Sequence, residues 1–133
     1  MSTSDLAPFT TDFQRWLAAE FVARGAFTVL AVLLAVEGGQ ARPLCSTSFQ
    51  VAGDALDWDD IVVMFAGAGV SWDRVAFFPA SDASGRPLDN PAARLRLRDI
   101  EIQFEKTPHA LRGSHVFAPD GHRLADATAQ VPQ

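Results

Sequence analysis

The sequence has 133 residues, 48% of them apolar and 20% charged, with a net charge of −5. Those values describe an ordinary globular chain that can bury a core without staples, and they exclude collagen-like, disulfide-dense and low-complexity proteins. One cysteine, Cys45, rules out an internal disulfide; no basic-then-apolar leader follows Met1, and the longest apolar run, 26–36, is too short for a bilayer, so the expectation is a cytoplasmic protein with no membrane partner.

Residues 1–10 read as a polar, flexible leader. Thr11-Asp12-Phe13-Gln14 has the form of a capping box, in which the Thr11 hydroxyl accepts from the amide of residue 14 and the Gln14 side chain reaches back. Phe13, Trp16, Leu17 and Phe21 follow at helical spacing, and Gly25 stands just past the basic Arg24, so a helix is expected over 11–24. Residues 26–36 are apolar on both faces and predict a strand buried on both sides, with a helical continuation as the rival reading. After the turn-like stretch 37–43, Cys45, Thr47, Phe49 and Val51 alternate with polar residues as in a half-exposed strand, and the two strands are expected to form a hairpin.

Two Trp-Asp dipeptides mark the middle of the chain. Asp57-Trp58-Asp59-Asp60 has the acids of a helix start, with Ile61, Val62, Met64, Phe65 and Ala68 as its buried face; the Ile-Val-Val content is the argument for strand instead. Trp72-Asp73 precedes a strand at 75–80. Residues 81–91 are rich in Asp, Ser, Gly and Pro and predict a long mobile loop. From 94 to 105 the apolar residues alternate but change phase, Leu95 and Leu97 against Ile100, Ile102 and Phe104, which predicts a strand with a β-bulge near Arg98-Asp99. A strand over about 111–118, a turn at Pro119-Asp120-Gly121 and a short return from His122 to Ala125 complete the pattern. Residues 127–133 have little to bury and are expected to fray.

The order α-β-β-α-β-β-β predicts an α+β fold. One domain over 11–126 is expected, with a curved, mostly antiparallel sheet of five or six strands and two helices packed on one face.

Few residues point to chemistry. His109, His115 and His122 match no compact metal signature, and His115 shares the inward phase of Leu111 and Phe117. Asp54, Asp57, Asp59 and Asp60 lack the glycine and terminal glutamate of a calcium loop and read as helix capping. No metal and no cofactor are expected. Cys45 sits in a core phase with no activating base. Arg94, Arg96 and Arg98 would line one face of the 94–105 strand. Without interleaved aromatics they do not suit nucleic acid, and they read as a solvated face or as an interface with the acidic first half of a second copy.

Two functions remain. The first is a non-catalytic interaction or regulatory module that self-associates and steers towards a basic protein partner; residues 1–63 carry eight acids against three bases, and 64–133 carry eight of each. The second is a small-molecule pocket, or a modest acid–base enzyme, lined by Trp16, Phe49, Met64, Phe104 and His115, with His115 and Asp99 as its polar groups.

Overall fold

The computed structural model describes residues 11–53, 56–106 and 114–124. Asp54, His109, the expected leader, the expected tail and the first part of the expected 111–118 strand lie outside the described residues.

Helix α1 (Asp12–Arg24) begins as its sequence demands: the Thr11 hydroxyl accepts from Gln14 N at 3.1 Å, and Gly25, at φ 75°, closes the helix by donating to the Phe21 carbonyl. The second half of the expected capping box is absent. Gln14 instead donates through Nε2 to the Leu56 carbonyl at 3.1 Å and accepts from Trp58 N at 2.8 Å, so it ties α1 to the start of the next helix.

Strands β1 (Phe27–Glu37) and β2 (Gln40–Val51) form the hairpin, with Glu37 opposite Gln40. Its two turn residues, Gly38 and Gly39, have φ 60° and 81°, the left-handed pair that a tight two-residue hairpin requires. β2 starts earlier than the alternation from Cys45 suggests. The register shifts between Leu33–Cys45 and Leu34–Pro43, which leaves Leu44 as the extra residue of a bulge beside a proline that has no N–H to offer.

Helix α2 (Trp58–Ala66) is capped by Asp57, whose carboxylate accepts from Asp60 N at 3.0 Å, and it presents Trp58, Ile61 and Phe65 to the core. The helical reading therefore prevails over the strand reading of Ile61-Val62-Val63. Strand β3 (Arg74–Ala80) follows Trp72-Asp73, and Asp73 holds β1 twice, donating from N to the Leu34 carbonyl and accepting at Oδ2 from Val36 N.

The expected strand over 94–105 is a helix, α3 (Asn90–Lys106), and the expected bulge at Arg98-Asp99 does not exist. Asp89 caps it, accepting from Ala92 N at 2.9 Å, and Pro91 sits in the first turn where no N–H is needed. The residues that α3 buries, Ala93, Leu97, Ile100 and Phe104, recur every three or four positions. Leu95 and Ile102 point outwards, and their apolar character imitates strand alternation. The loop before α3 is held by Asp82, whose carboxylate accepts from the Ser84 and Arg86 amides and the Ser84 hydroxyl. The buried Thr28 fixes its far end: Leu88 N donates to Thr28 Oγ1 at 2.8 Å, and Gln50 Nε2 donates to the Leu88 carbonyl at 2.9 Å.

Strand β4 (His115–Phe117) ends the described sheet. Its return is confirmed by the bridge between Phe117 and Arg123 and the Leu124 N to Val116 carbonyl bond. The fold is α+β, with three helices and four antiparallel strands in the order β2-β1-β3-β4 among the described residues, where five or six strands were expected.

Helices cover both faces of the sheet, which corrects the expectation of one covered face. The α1–α2 side buries Phe27, Val29, Ala31 and Leu33 of β1, with Val75, Phe77 and Phe117. The α3 side buries Leu30, Val32 and Leu34, with Ala76, Ala80 and Val116. An inner strand apolar on both faces needs a cover on each.

Candidate functional site

Phe77 is the hub of the α1–α2 side. Trp16 stacks on it at 5.6 Å and 10°, and Phe13, Phe49, Trp58, Phe65 and Phe117 surround it with ring centroids 5.4 to 6.4 Å away. The two Trp-Asp dipeptides meet here: the Trp58 and Trp72 rings lie edge to face at 6.4 Å. Trp58 also donates from Nε1 to the Pro119 carbonyl at 2.8 Å, which seats the turn at Pro119-Asp120-Gly121. Gly121, at φ 91°, has Trp58 Cγ and Thr11 side-chain carbons at 3.0–3.1 Å from the place a Cβ would occupy, so only glycine suits this turn.

His115 lies opposite Phe77 on the edge of this aromatic cluster, half-buried, with its ring 5.1 Å from that of Trp16. Arg123 Nη1 stands 3.2 Å from His115 Nδ1. A guanidinium only donates, so Nδ1 accepts and the neutral ring carries its proton on Nε2. Burial first, and then the Arg123 charge, push the His115 pKa below its ordinary value. The nearby Trp16 is 6% exposed, and its Nε1 donor has no acceptor among the described residues.

The remaining candidates scatter. Phe49 reaches the same cluster as Trp16 and His115 by its contact with Phe77. Phe104 packs under α3 on the other side of the sheet, and Met64 is exposed on α2. Asp99 is exposed on α3, so the sheet separates it from His115. His122 is exposed and pairs with Asp120 at 2.6 Å. Asp57, Asp59 and Asp60 serve the first turn of α2, and no group of three metal-ligating side chains occurs among the described residues. Cys45 is half-buried; burial, and then the Glu101 charge, push its thiol pKa up, which keeps it protonated.

Arg94, Arg96 and Arg98 are exposed, but on a helix they do not share a face. At about 100° per residue, Arg94 and Arg98 lie with Glu101 on one flank of α3, and Arg96 lies round the helix from them. That flank faces β2: Ser46 Oγ donates to Glu101 Oε2 at 2.5 Å. β2 stands at one end of the sheet, with β1 on its inner side and no strand on its outer side among the described residues. A groove of about 200 Å³ opens beside it, lined by Val32, Pro43, Leu44, Cys45 and Glu101. A second, more open depression of about 460 Å³ lies at the far end of β2, lined by Gln50 to Gly53, Leu56 and Asp60.

Sequence reasoning missed Ser46, Glu101 and the β2 edge, because a strand at 94–105 would have been another member of the sheet. Asp89-Asn90-Pro91 was the signal that could have found the helix. No helix among the described residues is long and apolar enough to cross a membrane. No known protein family, curated protein or solved structure matches this chain.

Proposed function

We propose that this protein is a non-catalytic interaction module that associates with itself and offers an acidic surface to a basic partner, in the cytoplasm. One observation carries the reading. β2 is twelve residues long and outermost, and its stretch Cys45–Phe49 has no charge and no proline. Free edges are ordinarily blunted by charge, proline or a bulge, because their unpaired backbone groups recruit another strand. Here Arg42, Pro43 and the Leu44 bulge blunt one end only. The partner surface is α2, where Val63 (72% exposed) and Met64 (38%) stand one turn after Asp59 and Asp60, which make no ion pair among the described residues. An apolar patch beside unpaired acids suits a basic, partly apolar segment.

The test is the mass of the protein in solution by light scattering across a dilution series. The expected value is twice the 14.3 kDa of the chain, falling on dilution. A mass of one chain at every concentration would remove self-association.

A second reading is favoured by the Trp16 indole. A buried donor without an acceptor costs roughly 1–3 kcal/mol, and a small ligand bearing a carbonyl or similar acceptor beside His115 would relieve that cost. Tryptophan fluorescence titrated with small carbonyl compounds tests it: a saturable change abolished by Trp16→Phe supports the reading, and no change at millimolar ligand removes it.

A further inference from the structure

We infer that the second copy joins through β2 itself, pairing antiparallel with its own counterpart across a two-fold axis at Thr47, so that the two α3 helices run side by side over the seam. The inference rests on the self-association proposed above and specifies its surface and register.

Two separate features place the axis. The first is the strand. The uncharged stretch Cys45–Phe49 is bounded on one side by the Leu44 bulge and Pro43, where pairing must stop, and its midpoint is Thr47. An antiparallel pair about that midpoint sets Cys45 opposite Phe49, Ser46 opposite Ser48 and Thr47 opposite itself. No like charges oppose each other, and an aromatic residue meets a small one.

The second feature is α3. On the flank that faces β2, Arg94 and Arg98 precede Glu101. Like charges four positions apart repel each other on a lone helix, so Arg94 and Arg98 together are poorly placed on an isolated one. Two such helices set antiparallel bring opposite charges together: a two-fold between positions 99 and 100 sets Arg98 of each copy opposite Glu101 of the other. Among the described residues, neither Arg94 nor Arg98 makes an ion pair in the single chain.

The two axes coincide. The Ser46–Glu101 hydrogen bond puts the sign change of α3 over the strand one residue from Thr47. α3 lies over β2 and β1. Paired edge strands stand about 4.8 Å apart, which brings the two helices within reach of arginine and glutamate side chains. The 200 Å³ groove at Leu44, Cys45 and Glu101 opens on the same seam and leaves room for side chains of the second copy.

The experiment uses the full chain and sedimentation equilibrium. Arg98→Glu alone is expected to raise the dimer dissociation constant roughly tenfold or more, because two matched pairs become two repelling ones. Glu101→Arg alone is expected to do the same. An equimolar mixture of the two variants restores every opposite pairing and is expected to dimerise at the wild-type constant. Restoration on mixing cannot arise from a change within one chain. In a Cys45→Ser background, Thr47→Cys is expected to give a covalent dimer on mild oxidation, and Arg96→Cys, at an exposed position, is not. Circular dichroism verifies that each variant is folded. If the wild type dimerises but charge reversal, mixing and oxidation leave it unaffected, the seam is wrong and self-association stands. If the wild type is monomeric throughout, the seam and the reading beneath it both fall.

Discussion

The two faces of the sheet are covered in different ways. Against α1 and α2 the strands present Phe27, Phe77 and Phe117, and the helices answer with Phe13, Trp16, Trp58 and Phe65. Against α3 the same strands present Leu30, Val32, Leu34, Ala76 and Ala80, and the helix answers with Ala93 and Leu97. Large rings need many neighbours, so the first face draws in the turn at Gly121 and both Trp-Asp dipeptides. Small aliphatic residues need only a helix laid across them, so the second face leaves one flank of α3 and the edge of β2 accessible. The difference is one of packing: rings interlock on one face, and a single helix lies across the other.

Phe77→Ala tests that division most severely. It empties the centre of six ring contacts and is expected to cost about 3–5 kcal/mol, a large share of the 5–15 kcal/mol that typically holds a domain. Urea unfolding and near-ultraviolet circular dichroism would measure it. Leu97→Ala, on the α3 side, lies nearer the low end of the aliphatic range, about 2–3 kcal/mol, because its site borders solvent. Equal losses for the two variants would break the comparison, and a larger loss for Leu97 would reverse it.

The smallest effect sharpens the boundary of the aromatic face. His115 has a pKa below 6.5 in the folded chain, so between that lowered value and 6.5 the unfolded chain binds more protons. Stability therefore rises with pH through that window, and is lost as pH falls through it towards the lowered value. His115→Gln is expected to flatten this dependence, seen as a smaller change in urea midpoint between about pH 5 and about pH 7.5. An unchanged slope would mean that other groups set the acid limit.

Local signals made the aromatic face legible in the sequence. Thr11, Asp57 and Gly25 mark helix ends by hydrogen bonds that hold within one turn, and Pro119-Asp120-Gly121 states its own geometry. The α3 face was not legible, because Leu95 and Ile102 are apolar yet outward and so imitate a strand with a bulge. The two-sided apolar pattern of β1 already required a second cover, whichever element supplied it. Of the pocket residues, Trp16, Phe49 and His115 converge because their phases fall on one face; Phe104 and Met64 could be placed only once α3 and α2 were known as helices. The edge of β2 was invisible for a related reason: a strand is an edge only by virtue of what does not lie beside it.

Arg123 N donates to Asp12 Oδ2 at 2.7 Å across 111 positions of sequence, and Phe13 N donates to the Gly121 carbonyl close by. The hairpin of β1 and β2 can form from neighbouring residues, but the roof over the aromatic face cannot close until the chain has been made as far as residue 123. A nascent chain therefore holds Phe13 and Trp16 without these neighbours until residue 123 has been made. Bringing together ends so far apart is the kind of contact that slows folding, because the loop must be closed before the contact rewards it.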